Sequence, residues 1–230
     1  MLQKIIVSNC ASENFFELLD KNSICYIKSL NNEKFNNNYN DHIDLSALKI
    51  DNDIYIENSV FEYYKDFLKD YNLIKVDVSD FKNGEMVLNV AKNDKYFFHN
   101  EKFTTKEIFE SLKQNREYVK INQGYSNCSM ICFKNHIITS DEGVFKSLKS
   151  KNINVELVTT TGIILNGYKN GFIGGTCGFV SDDTLLFYGD VTKYQDYDII
   201  KRVADEENVK ILFPKGEDFV DLGGIVSLWR

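Results

Sequence analysis

The sequence predicts an α/β architecture of five ββαβ units closed in a ring. Three observations carry that reading: a helical motif that recurs five times, a strand ending in Asn or Asp before each copy, and a C-terminal strand with no sequential partner.

The helical motif reads FFELL at 15, VFEYY at 60, IFESL at 108, VFKSL at 144 and IIKRV at 199. Each copy has two adjacent apolar residues, a third apolar residue four positions after the first, and a charged residue between. That spacing makes one buried helical face. Ahead of each helix an apolar strand closes on Asn9, Asn58, Asn100, Asp141 or Asp190. These side chains suit turning the backbone and capping the helix that follows. After each helix comes another strand: CYIKSL, LIKVDV, YVKIN, NVELV and VKILF.

Polar turns join a further strand in front: SALKI-DND-IYI, LNVAK-ND-KYFF, MICF-KN-HIIT and GFV-SDD-TLLF. Asn/Asp-rich turns between apolar runs mark hairpins. Four units therefore lie whole within the chain, with first strands starting near residues 43, 86, 127 and 175. The fifth is split. Its first strand is GGIVSLWR at the C-terminus, and the rest is KIIVSN, SENFFELL and CYIKSL at the N-terminus. Residues 223 to 229 are expected to pair antiparallel with residues 4 to 9, because an unpaired apolar strand is an aggregation liability that ring closure removes.

Composition bounds the rest. A chain of 230 residues, 43% hydrophobic and 27% charged, reads as one globular domain over residues 1–230. A formal net charge of -7 argues against a nucleic-acid partner, which favours a basic face. The first residues hold only a short apolar run, and nothing approaches the length of a membrane span. The expectation is a cytoplasmic protein with no membrane partner, of unspecified oligomeric state.

Five cysteines, Cys10, Cys25, Cys128, Cys132 and Cys177, are odd in number and lack CxxC spacing, as free thiols in a reducing compartment do. Cys128 and Cys132, four apart, are expected on one face of a strand. No His or second Cys pair completes a metal site, so no metal is expected. The glycine-rich GFIGGTCG at 171 lacks the Lys-Ser/Thr of a phosphate loop, and no cofactor is expected.

A ring of five ββαβ units resembles the pentein fold, also called the guanidino-group-modifying enzyme fold. That group includes arginine and agmatine deiminases, amidinotransferases and dimethylarginine hydrolases, together with a non-catalytic ribosomal-subunit anti-association factor. The stretches QGYSNCSMICFKNHIITSDEGV and GFIGGTCGFVSDDTLLFYGDV also resemble an uncharacterised bacterial family of this fold. The resemblance implies a channel in which a His-x-Asp element supplies a proton shuttle and a cation clamp, and a Cys after a glycine run attacks the guanidinium carbon. A resonance-stabilised cation resists water, so all three groups must converge on it.

DHIDL supplies His42 and Asp44 for the first two roles, expected on one face of a strand. DLGGIVSL has the glycines, with Ser227 where the Cys would stand, and a serine hydroxyl needs a base held against it. Asn89, Asn127, Cys128 and Asp221 fall at comparable strand starts, with Cys177 in the place matching Cys128, and make a polar channel mouth for a small ligand. The functional expectation is binding, with or without modification, of a small guanidino- or ureido-type metabolite. The alternative is a non-catalytic protein-binding module like the anti-association factor.

Overall fold

The computed structural model describes residues 4–229. Arg230, the last residue of the expected C-terminal strand, and the first three residues lie outside the described residues. The chain opens with β1 (Lys4–Val7), α1 (Glu13–Lys21) and β2 (Cys25–Lys28). A helical turn, α2 (Ile43–Ser46), leads into β3 (Ala47–Ile50), β4 (Asp53–Glu57), α3 (Phe61–Lys65) and β5 (Asn72–Val76). Next come β6 (Ala91–Lys92), β7 (Tyr96–His99), α4 (Lys106–Lys113) and β8 (Glu117–Lys120), then β9 (Met130–Cys132), β10 (Ile137–Thr139), α5 (Glu142–Ser150) and β11 (Val155–Leu157). The last repeat is β12 (Cys177–Ser181), β13 (Thr184–Phe187), α6 (Tyr197–Glu206) and β14 (Lys210–Leu212), and β15 (Val226–Ser227) ends the order.

The strands form five three-stranded sheets. In each, the middle strand is antiparallel to the first and parallel to the third. Each sheet is open; none closes on itself. The split sheet has the order β15-β1-β2, so the two ends of the chain do pair. The pairing is shorter than the seven residues expected: Ile5 faces Ser227, Ile6 faces Val226, and the Leu228 N–H donates to the Lys4 carbonyl at 2.9 Å.

The middle strands run through the interior with Ile5, Ile6, Ile54, Ile56, Phe97, Phe98, Leu185 and Leu186 inaccessible to solvent. Such near-continuous apolar runs are what strands covered on both faces require. The helical motif buries the residues its spacing selects: Phe15 and Leu19, Val60 and Tyr64, Ile108 and Leu112, Val144 and Leu148. Each such pair contributes roughly 3 to 6 kcal/mol of burial. In α6 the buried register is one residue later, on Ile200 and Ala204 with Val203.

The capping expectation holds for one α-helix and fails for the others. Asp141 caps α5, accepting from the Val144 N–H. Asn100 and Asp190 instead cap short 3₁₀ turns at Glu101–Phe103 and Val191–Lys193. Ser12 and Thr105 cap α1 and α4, while Asn9 bonds Ser29 and Asn31. Extra residues between strand and helix move the cap downstream. The first strands likewise begin later than expected, at Ala47, Ala91, Met130 and Cys177. Helical turns precede three of them, at Ile43–Ser46, Gly84–Met86 and Gly174–Thr176. These turns satisfy backbone groups in a crowded centre where no strand is available to pair them.

Candidate functional site

The five strand-start segments meet through hydrogen bonds that pass from one sheet to the next. The Asp44 N–H donates to the Gly223 carbonyl at 3.2 Å, and the Asn89 side chain donates to the Asp44 carbonyl at 3.4 Å. The Cys128 N–H donates to Asn89 Oδ1 at 3.2 Å, the Gly175 N–H to the Cys128 carbonyl at 3.1 Å, and the Gly224 N–H to the Gly175 carbonyl at 3.0 Å. Only glycine fits at several of these points. A Cβ on Gly175 would sit 1.9 Å from Asp221 Oδ1, and one on Gly174 2.0 Å from the Asn127 carbonyl.

Asp44 stands at the middle of this meeting, 3% exposed. Its Oδ2 accepts from Asn127 Nδ2 at 3.0 Å and from the Cys128 thiol at 3.1 Å; its Oδ1 is buried with no partner among the described residues. Burial pushes the Asp44 carboxyl up to about 6, against the hydrogen bonds from Asn127, Cys128 and Asn89. No lysine or arginine forms an ion pair with it among the described residues. Asp221, 2% exposed, accepts from the Phe172 and Gly223 N–H groups at 2.8 and 3.1 Å. Burial raises its carboxyl too, the charge of Asp44 adds to the rise, and His42 opposes it.

Of the seven expected site residues, Asp44, Asn89, Asn127 and Cys128 thus form one hydrogen-bonded cluster. His42 and Asp221 lie beside it across Gly223, whose missing Cβ would fall 2.2 Å from the His42 Cβ. His42 and Asp44 do not share a strand face as expected. His42 precedes and Asp44 belongs to the helical turn α2, where residues two apart point in different directions. Ser227 is not joined to either: its hydroxyl donates to the Phe179 carbonyl, and among the described residues no side-chain hydrogen bond links it to His42 or Asp44.

Cys128 precedes β9 rather than sharing a strand face with Cys132, and it points into the cluster. Burial and the charge of Asp44 push its thiol well above the ordinary range, which opposes formation of a thiolate. Cys177 is also buried and raised by burial, with its sulfur near the Ile173 carbonyl. Among the described residues no group of three His, Cys, Asp or Glu side chains is arranged to hold a metal ion, and no helix is long and apolar enough to cross a membrane.

A cavity of about 880 Å³ leads away from Asp44 and Asn127. Its wall includes Leu48, Val90, Ile131, Gly178 and Val226, one from the first strand or its approach in each sheet. Sequence reasoning missed two groups here. Tyr188, buried, donates to the Gly224 carbonyl at 2.6 Å and accepts from the Ser8 N–H at 3.0 Å, fixing the glycine turn beside Asp44. Lys92 and Arg116 also line the cavity. A lysine inside the strand-like LNVAK was the available signal for the first of these.

A family model described as a family of unknown function (DUF6873) matches residues 6–226. The chain belongs to this family. No curated protein matches the DUF6873 chain in sequence. Solved structures do match its fold. DDAH from Pseudomonas aeruginosa, a cysteine-to-serine mutant complexed with citrulline, superposes with a TM-score of 0.59 at 8% identity, over 99% of this chain and 100% of that one. The N-terminal domain of ArgZ, covalently bound to a reaction intermediate, gives 0.60 at 9% identity over 99% and 98%. The C. jejuni agmatine deiminase gives 0.54 at 10% identity over 99% and 82%. The DUF6873 chain has the fold of these guanidino-group-modifying enzymes, the pentein fold.

Proposed function

We propose that the protein is a single-domain receptor for a small guanidinium-bearing metabolite, held against Asp44 at the centre of five units closed as a ring, and that it lacks the covalent chemistry of its structural relatives. The observation that carries this reading is the buried Asp44 carboxylate, whose Oδ1 has no hydrogen-bond partner and which has no cationic partner among the described residues. An ionised carboxylate away from water is stable only when paired and hydrogen-bonded. A guanidinium supplies both a charge and planar paired donors. A neutral ureido group supplies N–H donors without the charge, and its carbonyl adds an acceptor where Asp44 needs none, which makes the guanidino class the better fit.

Ring closure in this reading draws on the hydrogen bonds that run from Asp44 through Asn89, Cys128 and Gly175 to Gly224, and on a cavity walled by all five sheets. Asn89 and Asn127 orient the clamp, Asp221 adds a second negative charge, and His42 lies beside them across Gly223. The nucleophile is what is lacking. Ser227 is spent on the Phe179 carbonyl, and Cys128 is held as a thiol. The protein-binding alternative has less behind it: Ile164 and Tyr168 share one loop, but Leu30 and Phe67 lie on other segments, and no observation marks a single apolar face.

Incubation with arginine and with agmatine, followed by assay for ureido product and ammonia, tests the absence of turnover. The expected result is none from the natural protein and none from Ser227→Cys, whose sulfur would face Phe179. Ureido product from the natural protein that disappears in Cys128→Ala would overturn the reading and make Cys128 the nucleophile.

A further inference from the structure

Beyond Asp44 the same cavity holds two cations close together. Lys92, at the end of β6, and Arg116, just before β8, both line it. Arg116 is 10% exposed. Its Nη2 bonds Asp51 Oδ1 at 2.6 Å and its Nε the Asn93 carbonyl at 3.0 Å, but Nη1 is buried with no hydrogen-bond partner among the described residues. Asp51 is the carboxylate paired with Arg116, and Asn115 donates to its other oxygen at 2.8 Å. Lys92 is half-buried, and its ammonium makes no hydrogen bond or ion pair among the described residues.

Two other acids of the lining are engaged elsewhere. Asp183 accepts from Ser181 and Thr184, and Glu207 from Asn135 with His136 beside it. Neither they nor Asp94 and Asp182 form an ion pair with Lys92 or Arg116. Burial, then the Arg116 and Lys49 charges, push the Lys92 ammonium down to about 8, with Asp51 and the Cys132 thiol opposing. Two cations crowded into a recess with a free guanidinium nitrogen form a receptor short of one anion.

We propose that Lys92 and Arg116 form a binding site for a small oxyanion, a carboxylate or a phosphate group, in the cavity that Asp44 also lines. The site goes beyond the guanidinium reading and stands without it, because it rests on other residues. An oxyanion here would accept from Arg116 Nη1 and from the Lys92 ammonium, satisfying the buried nitrogen and offsetting the like-charge repulsion.

The test is calorimetric titration of the full chain with inorganic phosphate and, separately, with acetate, at constant ionic strength set by chloride. Saturable binding of phosphate, acetate or both to the natural protein is expected, and the anion that binds identifies the chemistry. Lys92→Met removes one charge-assisted hydrogen bond and should raise Kd roughly tenfold or more. Lys92→Arg should retain binding. Lys146→Met, on the exposed face of α5 and away from the cavity, should bind like the natural protein and so excludes a general loss of positive charge. Far-ultraviolet circular dichroism checks that each variant is folded. No saturable binding of either anion, or equal weakening by Lys92→Met and Lys146→Met, would overturn the proposal.

Discussion

Replacing Asp44 by Asn removes a charge that the fold holds at a cost, and the pH dependence of stability measures that cost. The Asp44 carboxyl rises from its ordinary 3.8 to about 6 in the folded chain. The folded state therefore binds the proton more tightly than the unfolded state. Stability from this group is fully present below the unfolded pKa and is lost as pH rises through the folded one. At about 1.36 kcal/mol per pKa unit, the loss by pH 8 is about 3 kcal/mol. About 1.4 kcal/mol of it falls between pH 5 and pH 8.

In Asp44→Asn that component is absent. The amide oxygen can still accept from Asn127 and Cys128, while the new NH₂ takes the place of the unpartnered Oδ1, a cost of about 1 to 3 kcal/mol that does not vary with pH. Subtracting the variant's stability change between pH 5 and pH 8 from that of the natural protein cancels this cost. Urea unfolding at the two pH values supplies the four free energies. The natural protein should lose about 1.4 kcal/mol more than the variant. Neutralising Asp44 also relieves Asp221, whose carboxyl its charge raises, and that acts in the same direction. Parallel losses in the two proteins would refute the reasoning, because Asp44 would then be neither desolvated nor unpaired.

Two further outcomes follow from the fold. Deleting residues 224–230 strips β15 from β1, exposing an interior strand edge, and should abolish cooperative thermal unfolding followed by circular dichroism; a truncated chain that melts like the full one would refute the terminal pairing. Gly223→Ala places a Cβ against His42 at φ +81° and should cost about 3 kcal/mol or more in urea unfolding. A loss within about 0.5 kcal/mol of the natural protein would contradict the close approach there.

The repeat was legible because it is written in apolar spacing, and burial obeys spacing. Phe15/Leu19, Val60/Tyr64, Ile108/Leu112 and Val144/Leu148 are each the pair the motif selects. Terminal pairing was legible for a related reason: Ile225 to Leu228 had to be covered by something, and β1 was the strand without a hairpin partner. The polar centre was harder to read. Asn89, Asn127, Cys128 and Asp221 could be placed by their position in the repeat, but not their partners, since a hydrogen bond between residues 44 and 128 has no local signature. His42 and Asp44 were misplaced on a strand because a four-residue helical turn is too short to show periodicity. Lys92 and Arg116 escaped notice for the opposite reason. A lysine and an arginine near strand ends look like ordinary surface residues until the cavity around them is known.

The central claim is that Asp44 receives a guanidinium, and a calorimetric titration with agmatine tests it most directly. Agmatine carries the guanidinium but no carboxylate, so it does not engage Lys92 and Arg116 as an oxyanion would. The account predicts one saturable site in the natural protein at pH 8, and binding weaker by about tenfold or more in Asp44→Asn, the effect of losing a charge-assisted pair. Absence of binding to the natural protein, or equal affinity in Asp44→Asn, would contradict it.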